Sequence, residues 1–270
     1  MKLYAIKDAE RAGFLIGYLL YFPNRKDFFI EISEDLAEEE APIFFDSFLR
    51  RGKRMVHTDW SKKWVQQRII PPDRQNIAGI LKEWGWKEYD EFRFLTAASG
   101  RCAQDEMYLE EIDLSVCPKQ IGETALRTCK EVIPLKNRRL ILLHRNDTAG
   151  IVDLTSWIEE EPERGRLQYD TAMFHEARLR AGGREISWRD NLWITLEELE
   201  KMETLLPFSC EELEQGFLGR LMETDEVCKT IDCTRQNVDY LIRKGKLHPV
   251  KKGARLTLFA RGEVEGLISL

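Results

Sequence analysis

No apolar run in the chain reaches the roughly 18 to 20 residues that a membrane-spanning helix needs. The best candidate, GFLIGYLLYF, is half that length and is followed by Pro23, Asn24 and Arg25. The opening MKLYAIKDAER lacks the apolar core and small-residue cleavage site of a signal peptide. A cytoplasmic protein with no membrane association is expected. The six cysteines (102, 117, 129, 210, 228, 233) include no C-x-x-C pair, which excludes the common zinc and thiol-redox spacings and points to free thiols in a reducing compartment. The four histidines (57, 144, 175, 248) stand apart from one another, so no metal site is expected. Phosphate-binding loops, dinucleotide fingerprints, nucleophile elbows and H-E-x-x-H are all missing. His57, Asp59 and Cys102 could meet in space, but such triples are usually incidental. Neither an enzyme nor a cofactor is expected.

What is present is a two-signed charge distribution. The 270 residues carry a formal net charge of −6, yet Thr234–Arg261 holds eight basic residues against the single acid Asp239, a net +7. The remainder therefore carries −13, and positive potential is concentrated at one end. A second basic stretch, residues 50–74, has eight bases and two acids with Trp60 and Trp64 interleaved. It reads either as a nucleic-acid or phosphate contact or, more simply, as a solvated helix face whose tryptophans enter the core.

Local signals suggest three modules. Residues 1–113 open with FLIGYLLYF and DFFIEIS around the turn PNRK, a hairpin pattern. Helices follow in APIFFDSFLRRG, WSKKWVQQRII, DRQNIAGILKEWG (from Asp73) and YDEFRFLTAASG, which makes an α+β domain of unknown role. DLSVCPKQIGET, 113–124, has no strong period and reads as a linker. Residues 127–205 supply strands in RLILLHR and AGIVDL, two more strands, and a helix that Thr195 opens with Glu198 at capping-box spacing. Residues 205–217 read as a second linker.

The middle segment, through VIPLKNRRLILLHRNDTAGIVDL, MFHEARL and ISWRDNLWITLEEL, resembles the bacterial family called domain of unknown function 2442. Asn191-Leu192-Trp193 stands where that family usually has a Gly and an acid. The resemblance implies a compact α+β fold and no activity.

In the last module, 218–270, Thr224 is a plausible N-cap for a helix Asp225–Ile231, and Thr234 for a second helix ending at Gly245. On a helical wheel Val238, Leu241 and Ile242 share one side, and Gln236, Tyr240 and Arg243 point away from it. Asn237 and Lys244 flank one edge, Arg235 and Asp239 the other. Gln and Asn can pair bidentately with adenine, and Arg with guanine, in the major groove. KLHPVKKGARLTLFA then reads as two strands around Lys252-Gly253, a wing with Lys251, Lys252 and Arg255 for phosphate. RGEVEGLI closes with a short helix.

The order Glu226-Val227, Thr234-Arg235, Val238, Leu241-Ile242, Gly245, Leu247, Val250, Gly253 resembles the helix-turn-helix of the excisionase/MerR-like group over about 221–268. Two positions depart from it. Asp232 replaces the usual turn Gly, and Asp239 lies beside the presumed DNA face, where Arg235 four residues earlier could pair with it. The expectation is α+β front domains followed by a winged helix-turn-helix, in a bacterial double-stranded DNA-binding transcription regulator. Its DNA contacts would be Thr234, Arg235, Gln236, Asn237, Tyr240, Arg243, Lys244, Lys251, Lys252 and Arg255. A homodimer, or a protein partner or ligand on the front domains, would complete it. The competing readings are an adaptor or antitoxin-like partner, and an excisionase-like architectural factor.

Overall fold

A computed structural model of the chain describes residues 1–253 and 256–267. The fold is α+β with antiparallel sheets, and it divides into two compact units, Met1–Leu206 and Pro207–Leu270.

The first unit is built on a five-stranded sheet. Its strands are β1 (Lys2–Asp8), β2 (Phe14–Phe22), β3 (Asp27–Ile32), β4 (Met55–Val56) and β5 (Met107–Ile112), in the order β4-β3-β2-β1-β5. The hairpin expected at PNRK is β2–β3, with Phe22 opposite Asp27. Between these strands lie α1 (Ile43–Leu49), α2 (Thr58–Gln66), α3 (Ile77–Glu83) and α4 (Glu91–Ala97). α3 begins four residues later than Asp73, behind Asn76. After β5 come α5 (Lys119–Arg127), then β6 (Cys129–Pro134), β7 (Arg139–His144) and β8 (Thr148–Asp153). α6 (Thr155–Glu159), α7 (Arg166–Tyr169) and α8 (Thr171–Phe174) lead to β9 (Arg178–Arg180), β10 (Glu185–Ser187) and β11 (Trp193–Thr195). α9 (Leu196–Glu200) and β12 (Glu203–Ser209) follow. Strands β12-β8-β7-β6 form one sheet and β11-β10-β9 another.

The two segments expected as separate domains, 1–113 and 127–205, form this one unit, and the reason lies in the pleat. Successive side chains of a strand face opposite sides of its sheet. In β1–β3, Tyr4, Ile6, Leu19, Tyr21, Phe28 and Ile30 pack with Phe45, Trp64 and Leu95 from the helices between β3 and β5. Their neighbours Leu3, Tyr18, Leu20 and Phe29 pack with Leu142, Val152, Trp157, Phe174 and Ile186 from the second segment. A sheet apolar on both faces needs a cover on both, and the middle segment is the second cover.

Buried polar groups follow the same contact. Arg184 donates to Glu31 at 2.5 Å with both side chains almost fully buried. Arg180 donates to Asp27 at 2.7 Å, and Glu185 accepts from the Thr58 backbone N–H (2.8 Å) and Oγ1 (2.9 Å). Burial pushes the Glu31 carboxyl up despite Arg184, and burial pushes Glu185 up to about 7 against its Thr58 bonds and Arg180. The tract read as a linker, 113–124, is a 3₁₀ turn at Leu114–Val116 followed by α5, whose Gln120 donates to the Ile32 carbonyl and accepts from the Glu34 N–H.

The second unit contains α10 (Cys210–Gly219), β13 (Leu221–Glu223), α11 (Thr224–Thr230), α12 (Arg235–Arg243), β14 (Pro249–Lys252), β15 (Thr257–Ala260) and α13 (Arg261–Gly266). α10 covers the second half of the tract 205–217 that reads as a linker and extends two residues beyond it. Ser209 caps it and Glu212 completes a capping box. Among the described residues no helix is long and apolar enough to cross a membrane.

Candidate nucleic-acid interface

Two helices and a turn form the centre of the second unit. α11 starts one residue earlier than Asp225: Glu223, not Thr224, is its cap, in a box with Glu226. The turn from Ile231 to Thr234 is closed by the Cys233 N–H on the Cys228 carbonyl. Asp232 holds φ +48° there, in the left-handed region that glycine, asparagine and aspartate tolerate best. Thr234 caps α12 through its side chain, which accepts from the Asn237 N–H at 3.4 Å. Gly245, at φ +65°, ends α12 with the Lys246 N–H reaching back to the Leu241 carbonyl, a Schellman closure.

The core beneath comprises Met222, Val227, Val238, Leu247, Phe259 and Val264, with Cys228, Ile231, Leu241 and Ile242 packed against it. This is the apolar side expected of α12. The opposite side is exposed along its length at Gln236, Asn237, Tyr240, Arg243 and Lys244, and Tyr240 keeps 49% of its surface open. The Lys244 ammonium lies 5.8 Å from the Tyr240 ring centroid, and Arg243 donates to the Asp239 carbonyl.

β14 and β15 pair antiparallel, and the Gly253 N–H closes their turn on the Leu256 carbonyl. β13 joins the far edge of β15, giving the order β13-β15-β14. Lys251 and Lys252 are exposed on this hairpin. Arg255 lies outside the described residues. The structure thus brings Gln236, Asn237, Tyr240, Arg243 and Lys244 onto one helix surface, and places Lys251 and Lys252 on a hairpin of the same unit.

Arg235 does not pair with Asp239. Its Nε and Nη2 both donate to the Asp225 carboxylate of α11, at 2.7 Å each, a fork-to-fork geometry that a side chain four residues away on the same helix does not offer here. That pairing holds the Asp225 carboxyl below its usual range and raises the Arg235 guanidinium. Asp239 is exposed and, among the described residues, has no ion-pair partner. Thr234 and Arg235 therefore serve the helix pair itself, one as cap and one as tether.

The other residues singled out in the sequence do not assemble. Trp64 is fully buried under the Arg68 guanidinium, which pairs with Asp105, while Trp60 is 42% exposed beneath Lys63. The basic stretch 50–74 is thus largely a solvated surface over a core tryptophan. Among the described residues no hydrogen bond or ion pair joins His57, Asp59 and Cys102, and no three His, Cys, Asp or Glu side chains gather as a metal cluster. His57 is instead stacked on Trp193 at 3.3 Å, a contact that sequence spacing could not reveal. Comparison with protein-family models, curated proteins and solved structures finds no match to this chain.

Proposed function

We propose that the C-terminal unit binds double-stranded DNA, with α12 in the major groove and the β14–β15 hairpin on the phosphate backbone, and that the protein is a bacterial transcription regulator. The observation that carries this reading is the surface of α12. Opposite its core-facing Val238, Leu241 and Ile242 stand an amide pair, a tyrosine and two cations, all exposed and on one surface of the helix. Amide and guanidinium side chains are the groups that pair bidentately with base edges, and the wing lysines supply charge that reads no sequence. One unit of about sixty residues makes few base contacts, so a homodimer or tandem sites would raise specificity.

The test is selection of genomic fragments by the purified protein at two salt concentrations, repeated with two variants. Gln236→Ala is expected to change the enriched motif. Lys252→Ala is expected to weaken all sequences alike and to reduce the slope of log K against log salt by about one. Absence of any enriched motif together with absence of salt-sensitive binding rejects the reading, and identical behaviour of the two variants rejects the helix orientation.

Asp239 favours a second reading. An exposed carboxylate on this surface with no ion-pair partner among the described residues repels phosphate and suits a basic protein surface, as in an adaptor or antitoxin-like partner. Asp239→Asn separates the two: it strengthens DNA binding under the first reading and weakens capture of a protein partner under the second.

A further inference from the structure

α11 ends in a turn that places two thiols together. Its cap residue is Ile231, Asp232 follows at φ +48°, and the Cys233 N–H returns to the Cys228 carbonyl at 2.9 Å. A left-handed residue enclosed by such a bond is a Schellman closure. That motif sets the side chain third from the helix end against the side chain two past the cap, a contact usually made by apolar residues. Here those positions are Cys228 and Cys233, and the two thiols lie within hydrogen-bonding reach of each other. Both are free, partly open to solvent, and packed on the core of Val227, Val238 and Phe259. The Cys233 thiol also donates to the Thr234 carbonyl at 3.5 Å. Other cysteines differ: Cys129 and Cys210 are buried, and Cys117 is exposed with its thiol on the Pro118 carbonyl.

The surroundings order the reactivity of the pair. Burial pushes the Cys228 thiol up, Cys233 and then Asp225 push it further, and Arg235 works against them. The thiolate is the nucleophile, so Cys228 is the slower of the two while Cys233 is free. A Cys233 sulfur bonded to another sulfur carries no charge, and that part of the upward push on Cys228 is then gone. Arg235, held in place by two hydrogen bonds to Asp225, still favours the Cys228 thiolate.

We propose that Cys228 and Cys233 form a redox modification site, at which a low-molecular-weight disulfide oxidises the pair to an intramolecular disulfide across the turn. The Cys233 thiolate attacks one sulfur of the reagent, forming a mixed disulfide and releasing one small thiolate. The Cys228 thiolate then attacks the Cys233 sulfur, closes the Cys228–Cys233 bond and releases the second. Two protein thiols are oxidised, one small disulfide is reduced, and the two thiol protons end on the released thiolates. Because the turn already holds the two backbones together, the bridge closes without the backbone movement that distant cysteines need. The site does not depend on how α12 is used.

The test uses the full chain with oxidised glutathione as the probe. After incubation the remaining thiols are alkylated and tryptic peptides are read by mass spectrometry. Lys229 lies between the two cysteines, so the bridge appears as residues 221–229 joined to residues 230–235. In the folded chain this joined pair is expected to predominate over glutathione adducts on either cysteine, and dithiothreitol should release it. Glutathione on the exposed Cys117 reports that the oxidant is active. In urea the same stretch is flexible, and the ratio of joined pair to adduct is expected to fall about tenfold. Cys228→Ser removes the thiol of the second step and should trap the glutathione adduct at Cys233. The proposal is overturned if the joined pair does not form, if the two cysteines carry separate adducts, or if unfolding leaves the ratio unchanged.

Discussion

At the scale of single residues, His144 shows how burial and partners set protonation. Its Nδ1 lies 2.7 Å from the Arg127 carbonyl, which can only accept, and its Nε2 lies 2.6 Å from a Glu203 carboxylate oxygen. Both nitrogens therefore carry protons. Burial alone would lower the pKa, but the Cys129 thiol and the Glu203 carboxylate outweigh it and raise the value to about 10. Gly150 makes room for this pair, because a Cβ there would overlap the Glu203 carboxylate. A histidine whose folded pKa exceeds its unfolded value of about 6.5 adds stability that is full below pH 6.5 and is lost as pH rises through about 10. Glu203→Gln is thus expected to destabilise the first unit at pH 7 by about 1.5–3 kcal/mol, the usual worth of a hydrogen bond to a charged group. The gap to wild type should close towards pH 10 in denaturant unfolding followed across pH, and a gap independent of pH would show that the imidazolium is not the source.

At the scale of elements, the tether between α11 and α12 is the feature closest to the proposed DNA surface. Arg235 stands at the first turn of α12, where a cation commonly meets phosphate, yet Asp225 engages it with two hydrogen bonds. Asp225→Asn is expected to release it. The melting temperature should hold, because the pair is exposed, while the salt slope of DNA binding steepens by about one. Anisotropy titrations at several salt concentrations check this, and an unchanged slope would mean that Arg235 stays out of contact.

Local signals made most of this element legible in advance. Thr234 and Gly245 bound α12, the wheel separates Val238 from Gln236, and Asp232 takes the left-handed turn. What sequence spacing could not settle was competition in space: Asp225, ten residues from Arg235, wins over Asp239, four residues away. The start of α10 stands at a capping-box pair, Ser209 and Glu212, inside the tract that reads as a linker. His57 and Trp193, stacked on one another, come from distant segments, and no periodicity connects them.

At the scale of the whole molecule, the number of independent folding units turns on the sheet β4-β3-β2-β1-β5. FLIGYLLYF is a continuous apolar run rather than an alternating one, and that is the pattern of a strand buried on both faces. The run read as half of a hairpin, which it is, but its lack of a polar face also implied a cover from outside the first 113 residues. Without residues after 113, Tyr18, Leu20 and Phe29 would face water, and Asp27 and Glu31 would lose Arg180 and Arg184. Losing the burial of such large apolar side chains costs about 1.5–3 kcal/mol each, together a large share of the roughly 5–15 kcal/mol that holds a domain folded. A fragment of residues 1–113 is therefore expected to lack a cooperative thermal transition. A fragment of residues 1–209, which keeps both covers and all of β12, should melt in one step. Circular dichroism melts of the two fragments decide it, and a cooperative transition in the shorter one would show that the first sheet is stable with one face open.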